Sequence, residues 1–188
     1  SVQALGAQRW YGWRTATTQA GMKFGAQRYL DRGERIGIQF DVRNTVDAFS
    51  PEYRGWSLGA YGTYERVIGK TMVASASIFA RREMLQAAVY SNQEYGLSLG
   101  IGGEFPLGIN AGISGGMSRV AYDAPMLLFS NSARRDWRLN GRVYLGLRSF
   151  RLFGFSPSLT YTYVSADSNY LFYKTNRNRL SFNLAHYL

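Results

Sequence analysis

Along most of this chain, apolar and polar residues alternate one for one. In the run 137–148 the odd positions read Trp137, Leu139, Gly141, Val143, Leu145 and Leu147. The even positions read Arg138, Asn140, Arg142, Tyr144, Gly146 and Arg148. A strand sends successive side chains to opposite faces, so this run predicts a strand with one greasy and one basic face. The split recurs. Ile36, Ile38, Phe40 and Val42 oppose Arg35, Gln39, Asp41 and Arg43. Tyr95, Leu97, Leu99, Ile101 and Phe105 oppose Glu94, Ser98 and Glu104. Ile109, Ala111, Ile113 and Met117 oppose Asn110, Ser114 and Ser118, and Leu180, Phe182, Leu184 and Leu188 oppose Arg179, Ser181 and Asn183. Further strands are predicted over 22–30, 56–64, 72–80 and 157–163, with a poorly alternating first one over 5–13.

Helix is the competing reading, and glycine counts against it. Glycines sit inside nearly every run, and each costs a helix about 1 kcal/mol relative to alanine. A strand tolerates them where backbones or bulky side chains approach closely.

The connections alternate in length. Short links are read at 31–34, 69–70, 106–108 and 151–154, and long ones at 45–55, 82–93, 121–135 and 166–178. Short periplasmic turns and long extracellular loops are the habit of membrane β-barrels. The pattern predicts an all-β fold: a transmembrane antiparallel up-and-down barrel of about ten strands, with both termini periplasmic. A soluble sandwich also gives period-two strands. It is disfavoured by the strand lengths, by the loop alternation, and by aromatics near strand ends. Trp10, Trp13, Trp56, Tyr64, Trp137, Tyr163 and Tyr187 would supply interfacial girdles.

Composition sharpens this picture. The 188 residues fit one domain, 1–188. Mean hydropathy is −0.24, and no apolar run approaches the ~20 residues that a membrane-spanning helix needs. Yet 15% of residues are aromatic, as expected where half of each strand faces lipid and half faces water. The chain has no cysteine, which excludes a disulfide framework or thiolate metal site. No signal peptide is visible at Ser1, so a mature form or a fragment is expected.

The formal net charge is +10. Alternation sends Lys23, Arg35, Arg43, Arg138, Arg142, Arg148 and Arg179 to the wet side, together with Asp41, Glu65, Glu94 and Glu104. A charge facing mid-membrane lipid costs roughly 2–4 kcal/mol, so energetics demands the same assignment. Two readings follow for this basic lumen: Arg–Glu networks that fill the interior, or a path for anions or an acidic polypeptide segment. Arg82, Arg134, Arg135, Lys174 and Arg177 are expected in outer loops, facing lipopolysaccharide phosphates. The basic residues form no single patch and no nucleic-acid-binding motif is present, so nucleic acid is not an expected partner.

Little points to catalysis, and no enzyme activity or cofactor is expected. The only histidine, His186, shares the register of Leu184 and Leu188. No serine sits in a nucleophile elbow. The carboxylates Asp31, Asp41, Glu65, Glu94 and Glu104 have no fixed pairing in sequence. The glycine-rich stretch 100–116 lacks a phosphate-loop lysine and alternates like strand. The final run is more telling. Leu180, Phe182 and Leu184, closing on Tyr187 and Leu188, resemble the signal read by the barrel assembly machinery, although most such proteins end in Phe.

Several short stretches carry a family resemblance. Leu128-Phe129 is followed by Arg134-Arg135-Asp136, then Gly154-Phe-Ser-Pro157-Ser-Leu159, then Asp167-Ser168-Asn169 with Tyr173, Arg177 and Arg179. Tyr53-Arg54-Gly55-Trp56 and Arg119-Val-Ala-Tyr122-Asp123 fit more loosely. In this order and spacing the chain resembles the barrel domain of the surface lipoprotein assembly modifiers. The resemblance implies a non-enzymatic role in moving lipoproteins or secreted proteins to or across the outer membrane. It also implies an N-terminal helical-repeat domain and a larger barrel, neither visible here. The chain is then expected to be the C-terminal part of such a barrel or a shortened relative. A porin-like channel for small anions is the alternative.

Overall fold

Ten strands form one antiparallel sheet in strict chain order. They are β1 (Val2–Tyr11), β2 (Arg14–Leu30), β3 (Glu34–Asp47), β4 (Gly55–Ile68), β5 (Met72–Leu85), β6 (Asn92–Phe105), β7 (Ile109–Tyr122), β8 (Arg135–Leu147), β9 (Phe155–Ser168) and β10 (Thr175–His186). This computed structural model describes residues 1–30, 33–150 and 154–186, with side chains in β10 described as far as Leu184. Asp31, Tyr187, Leu188 and part of the link at 151–154 lie outside the described residues. So does the side chain of His186, whose backbone pairs with Phe155.

Each strand pairs with its sequence neighbours, and among the described residues a register shift occurs only in β1, between Arg9 and Trp10. The all-β, up-and-down expectation therefore holds, with ten strands. Among the described residues no ladder joins β1 to β10. Both of these strands are largely exposed on both faces.

Side-chain alternation divides the sheet as the sequence reading expected. Ile36, Ile38 and Phe40 share a face with Tyr95, Leu97, Leu99, Ile113, Leu139, Val143, Leu180, Phe182 and Leu184, all more than a third exposed. The opposite, polar face is the concave one. The strand residues that are most buried, including Asn92, Glu94, Ser118, Val120, Asp136 and Ser168, all lie on it. Charged residues on the apolar face keep to strand ends: Arg28, Glu34, Arg66, Arg82, Arg119, Arg135 and Asp167 all fall within a few residues of a terminus. Among the described residues, the middle of that face carries no charge.

The strands run further than alternation alone predicts. On one side of the sheet the links are 48–54, 86–91, 123–134 and 169–174; on the other they are 31–33, 69–71, 106–108 and 148–154. The link at 148–154 is as long as the one at 48–54, and the first hairpin turns on Gly12 and Trp13 alone. The length alternation is therefore weaker than expected. The cause is backbone pairing, which extends strands through polar segments such as Arg14–Gln19 that have no apolar period to reveal them. Among the tight turns, Gly69 adopts φ 66°, a left-handed conformation that glycine takes without steric cost.

Candidate functional site

The polar face is built from cross-strand rows. One row near the long-loop side reads Lys23, Asp41, Gly59, Arg81, Glu94, Val120, Asp136 and Ser168. Its first four charges, Lys23, Asp41, Arg81 and Glu94, alternate in sign, and Arg81 and Glu94 are joined. The Glu94 carboxylate accepts from Arg81 at 2.7 Å, from the Ser118 hydroxyl at 2.8 Å and from Arg138 at 3.4 Å. Arg138 reaches Glu94 across the intervening strand because only Ser118 stands between them.

Asp136 is the second hub. Arg134 donates to both of its oxygens, at 3.0 Å from Nε and 2.5 Å from Nη2. Arg138 lies 3.7 Å away, and the Ser168 hydroxyl also bonds to this carboxylate. The Arg134 guanidinium lies 3.6 Å from the Tyr173 ring centroid and 4.4 Å from that of Tyr122. Burial works against its charged form, but the Asp136 hydrogen bonds and the two tyrosines outweigh it, and its pKa lies above the ordinary value. The Asn169 side chain accepts from the Arg135 N–H and donates to the Ala133 carbonyl. Tyr170 accepts from the Met126 N–H and donates to the Ser132 carbonyl. Loops 123–134 and 169–174 are thus knotted together over the end of the sheet.

Of the basic residues expected in outer loops, Arg134 and Lys174 do lie in loops, whereas Arg82, Arg135 and Arg177 lie in strands. Arg82 lies in β5 and forms a paired fork with Asp123, at 2.6 and 2.5 Å. Arg134 is consumed by Asp136, and Lys174 pairs with Asp167 at 2.9 Å. Arg135 opens β8 on the apolar face, and Arg177 lies within β10 on the polar face. Asp136, two residues on, claimed Arg134; Asp167 at the end of the neighbouring strand claimed Lys174; and Asp123, just past β7 and two strands over, claimed Arg82, pairings that a reading of local sequence leaves open.

Lys23, Arg35, Arg43, Arg138, Arg142 and Arg179 lie on the polar face and Arg148 stands just past the end of β8, but the set divides. Arg35 pairs with Glu65 at 2.5 Å, Arg148 approaches Glu104 at 4.0 Å, and Arg138 joins the hubs. Lys23 sits directly across from Asp41, with Arg43 two positions along from that carboxylate. Among the described residues Lys23, Arg43, Arg142 and Arg179 make no ion pair or side-chain hydrogen bond, nor does Arg177, which the inward set did not include; Arg142, Arg177 and Arg179 differ in having no carboxylate at the neighbouring polar positions. A row further from the long loops contains them: Tyr29, Arg35, Glu65, Ser75, Gly100, Ser114, Arg142, Thr162 and Arg179. Between Glu65 and Arg142 the row holds only small residues. There the concave face opens into a cavity of about 520 Å³ lined by Glu65, Ser75, Gly112, Ser114, Arg142 and Tyr144.

Sequence reasoning missed Asp136 and Ser118 as partners. Both stand on the wet side of their strands, but only the register shows which cations they meet. The resemblance stretches around 134–136, 168–169 and 173 meet in the knot just described.

No curated protein and no solved structure matches the chain. The family model described as surface lipoprotein assembly modifier matches residues 1–187. With that match spanning the two-faced sheet, the knot and the basic rows alike, the chain belongs to the surface lipoprotein assembly modifier family.

Proposed function

We propose that this chain forms barrel wall in the outer membrane and helps deliver lipoproteins to the cell surface, without enzymatic chemistry. The observation that carries the reading is the two-faced sheet: an uncharged apolar band on one side and charged rows on the other. Lipid demands that a spanning sheet satisfy its own backbone groups, and eight of the ten strands are paired along both edges. The family gives the role, and the concave face gives a polar surface along which a client can travel. In this reading the short turns are periplasmic and the long-loop side faces outward, toward lipopolysaccharide. The segment through Leu180, Phe182 and Leu184 is offered to the barrel assembly machinery.

The test is a Gram-negative host carrying a client lipoprotein, with or without this protein in intact form. Antibody labelling of unbroken cells should rise when the protein is present, at equal total lipoprotein. Equal labelling in both strains overturns the proposal. The unpaired Arg142, Arg177 and Arg179 also favour a second reading, an anion channel. Steady anion-selective openings in a planar bilayer, without any effect on lipoprotein display, would select it.

A further inference from the structure

Charge balance on the concave face is uneven. From β3 to β6 each inward cation has a carboxylate beside it, and Asp136 serves the long-loop end of β8. Beyond Asp136, the polar positions of β8, β9 and β10 hold no carboxylate at all. Among the described residues Arg142, Arg177 and Arg179 stand there unpaired and exposed, and β9 between them offers the hydroxyls of Ser158, Thr160 and Thr162. Unmatched guanidiniums recognise carboxylates and phosphates by paired N–H donors.

Two features select among anions. Arg177 and Arg179 are two residues apart on one strand, which spaces them by roughly 6.6–7 Å, the repeat of alternate side chains along any extended chain. Beside Arg142 lies the cavity whose floor is Ser75, Gly100, Gly112 and Ser114. The row Ser75, Gly100 and Ser114 between Glu65 and Arg142 carries only small side chains, so a second main chain can approach closely there. A free phosphate needs neither the repeat nor the floor.

We propose that this strip binds an extended polypeptide segment bearing carboxylates at alternate positions, with acidic side chains on Arg177 and Arg179 and a further one reaching sideways to Arg142, which lies across β9 from Arg179. The proposal rests on the delivery reading, in which such a segment belongs to the client. It names the partner's chemistry: acidic and unfolded at the point of contact.

The experiment uses the intact protein folded in detergent and a fluorescent peptide alternating serine with glutamate. Peptides with glutamine or lysine in place of glutamate serve as controls. Anisotropy should report binding of the acidic peptide alone, weakening with added salt. The triple variant Arg142→Gln, Arg177→Gln, Arg179→Gln should weaken it by about tenfold or more. The double variant Lys23→Gln, Arg43→Gln should change it by about twofold or less, since those cations have Asp41 nearby. Equal losses in both variants would mean that only net charge matters and would overturn the proposal. Displacement by inorganic phosphate at the concentration that free glutamate requires would make this a small-anion site and would also overturn it. Binding is read without cells, so failure here leaves lipoprotein display standing. Failure of display with peptide binding intact would instead reject the delivery reading alone.

Discussion

At the scale of single residues, the strongest constraint is the buried carboxylate of Asp136, only 1% exposed. It anchors Arg134, and through Arg134 the loops 123–134 and 169–174. Removing one partner from a buried pair leaves an uncompensated charge, which costs about 3–5 kcal/mol. Asp136→Ala should therefore lower unfolding stability by that amount, read by urea titration of tryptophan fluorescence in lipid vesicles. Asp167→Ala, which breaks an exposed pair with Lys174, should cost less than about 1 kcal/mol. Equal costs would show that the knot contributes nothing beyond surface charge. Alternation made Asp136 legible as a wet-side residue next to Arg138. It left open that Arg134, two residues away in a loop, folds back onto it, because that contact depends on where β9 and its loop come to lie.

At the scale of the element, a strand's side chains have a period of two, so one register fixes every face. That is why the greasy and polar sides of β3, β6, β7, β8 and β10 could be read directly from the sequence. Strand ends could not be read, because backbone pairing continues through polar runs such as the start of β2. The face assignment makes a sharp prediction in β8. Leu139→Arg places a charge in the apolar band and should cost roughly 2–4 kcal/mol in the same vesicle titration. Asn140→Arg, one residue on, points to the polar face and should change stability by less than about 1 kcal/mol. A reversed order would mean the faces are exchanged. Close approach sets a second limit. A Cβ on Gly96 would stand 2.7 Å from the Phe79 ring and 2.7 Å from the Ser118 Cβ. Gly96→Val should therefore force neighbouring strands apart and cost about 1–3 kcal/mol, where Gly115→Val, with only the Asn140 carbonyl at 3.5 Å, should cost less.

At the scale of the whole molecule, the sheet is informative about its solvent because its large apolar side chains face outward. A water-soluble protein would cover Phe24, Ile38, Phe40, Leu99, Leu139 and Phe182, yet each is at least 42% exposed; contiguous apolar surface of this extent marks a partner or a membrane. Hydrocarbon is the partner that requires an uncharged middle band and tolerates Arg119 resting over Trp137, at 5.5 Å, near its border. Bromine on lipid chains quenches tryptophan on contact, so it reports which face meets lipid. Trp56 and Trp137 lie on the apolar face and should be quenched in vesicles brominated close to the lipid carbonyl. In a variant whose four tryptophans are replaced by phenylalanine, Val164→Trp puts a single probe on the polar face between Asn140 and Arg177. That probe should escape lipid quenching while remaining open to aqueous iodide. If the polar-face probe were quenched as strongly as Trp137, both sides of the sheet would be meeting lipid and the wet concave surface would not exist. If neither probe were quenched, the apolar face would be covered by protein, and the membrane reading would fall with it.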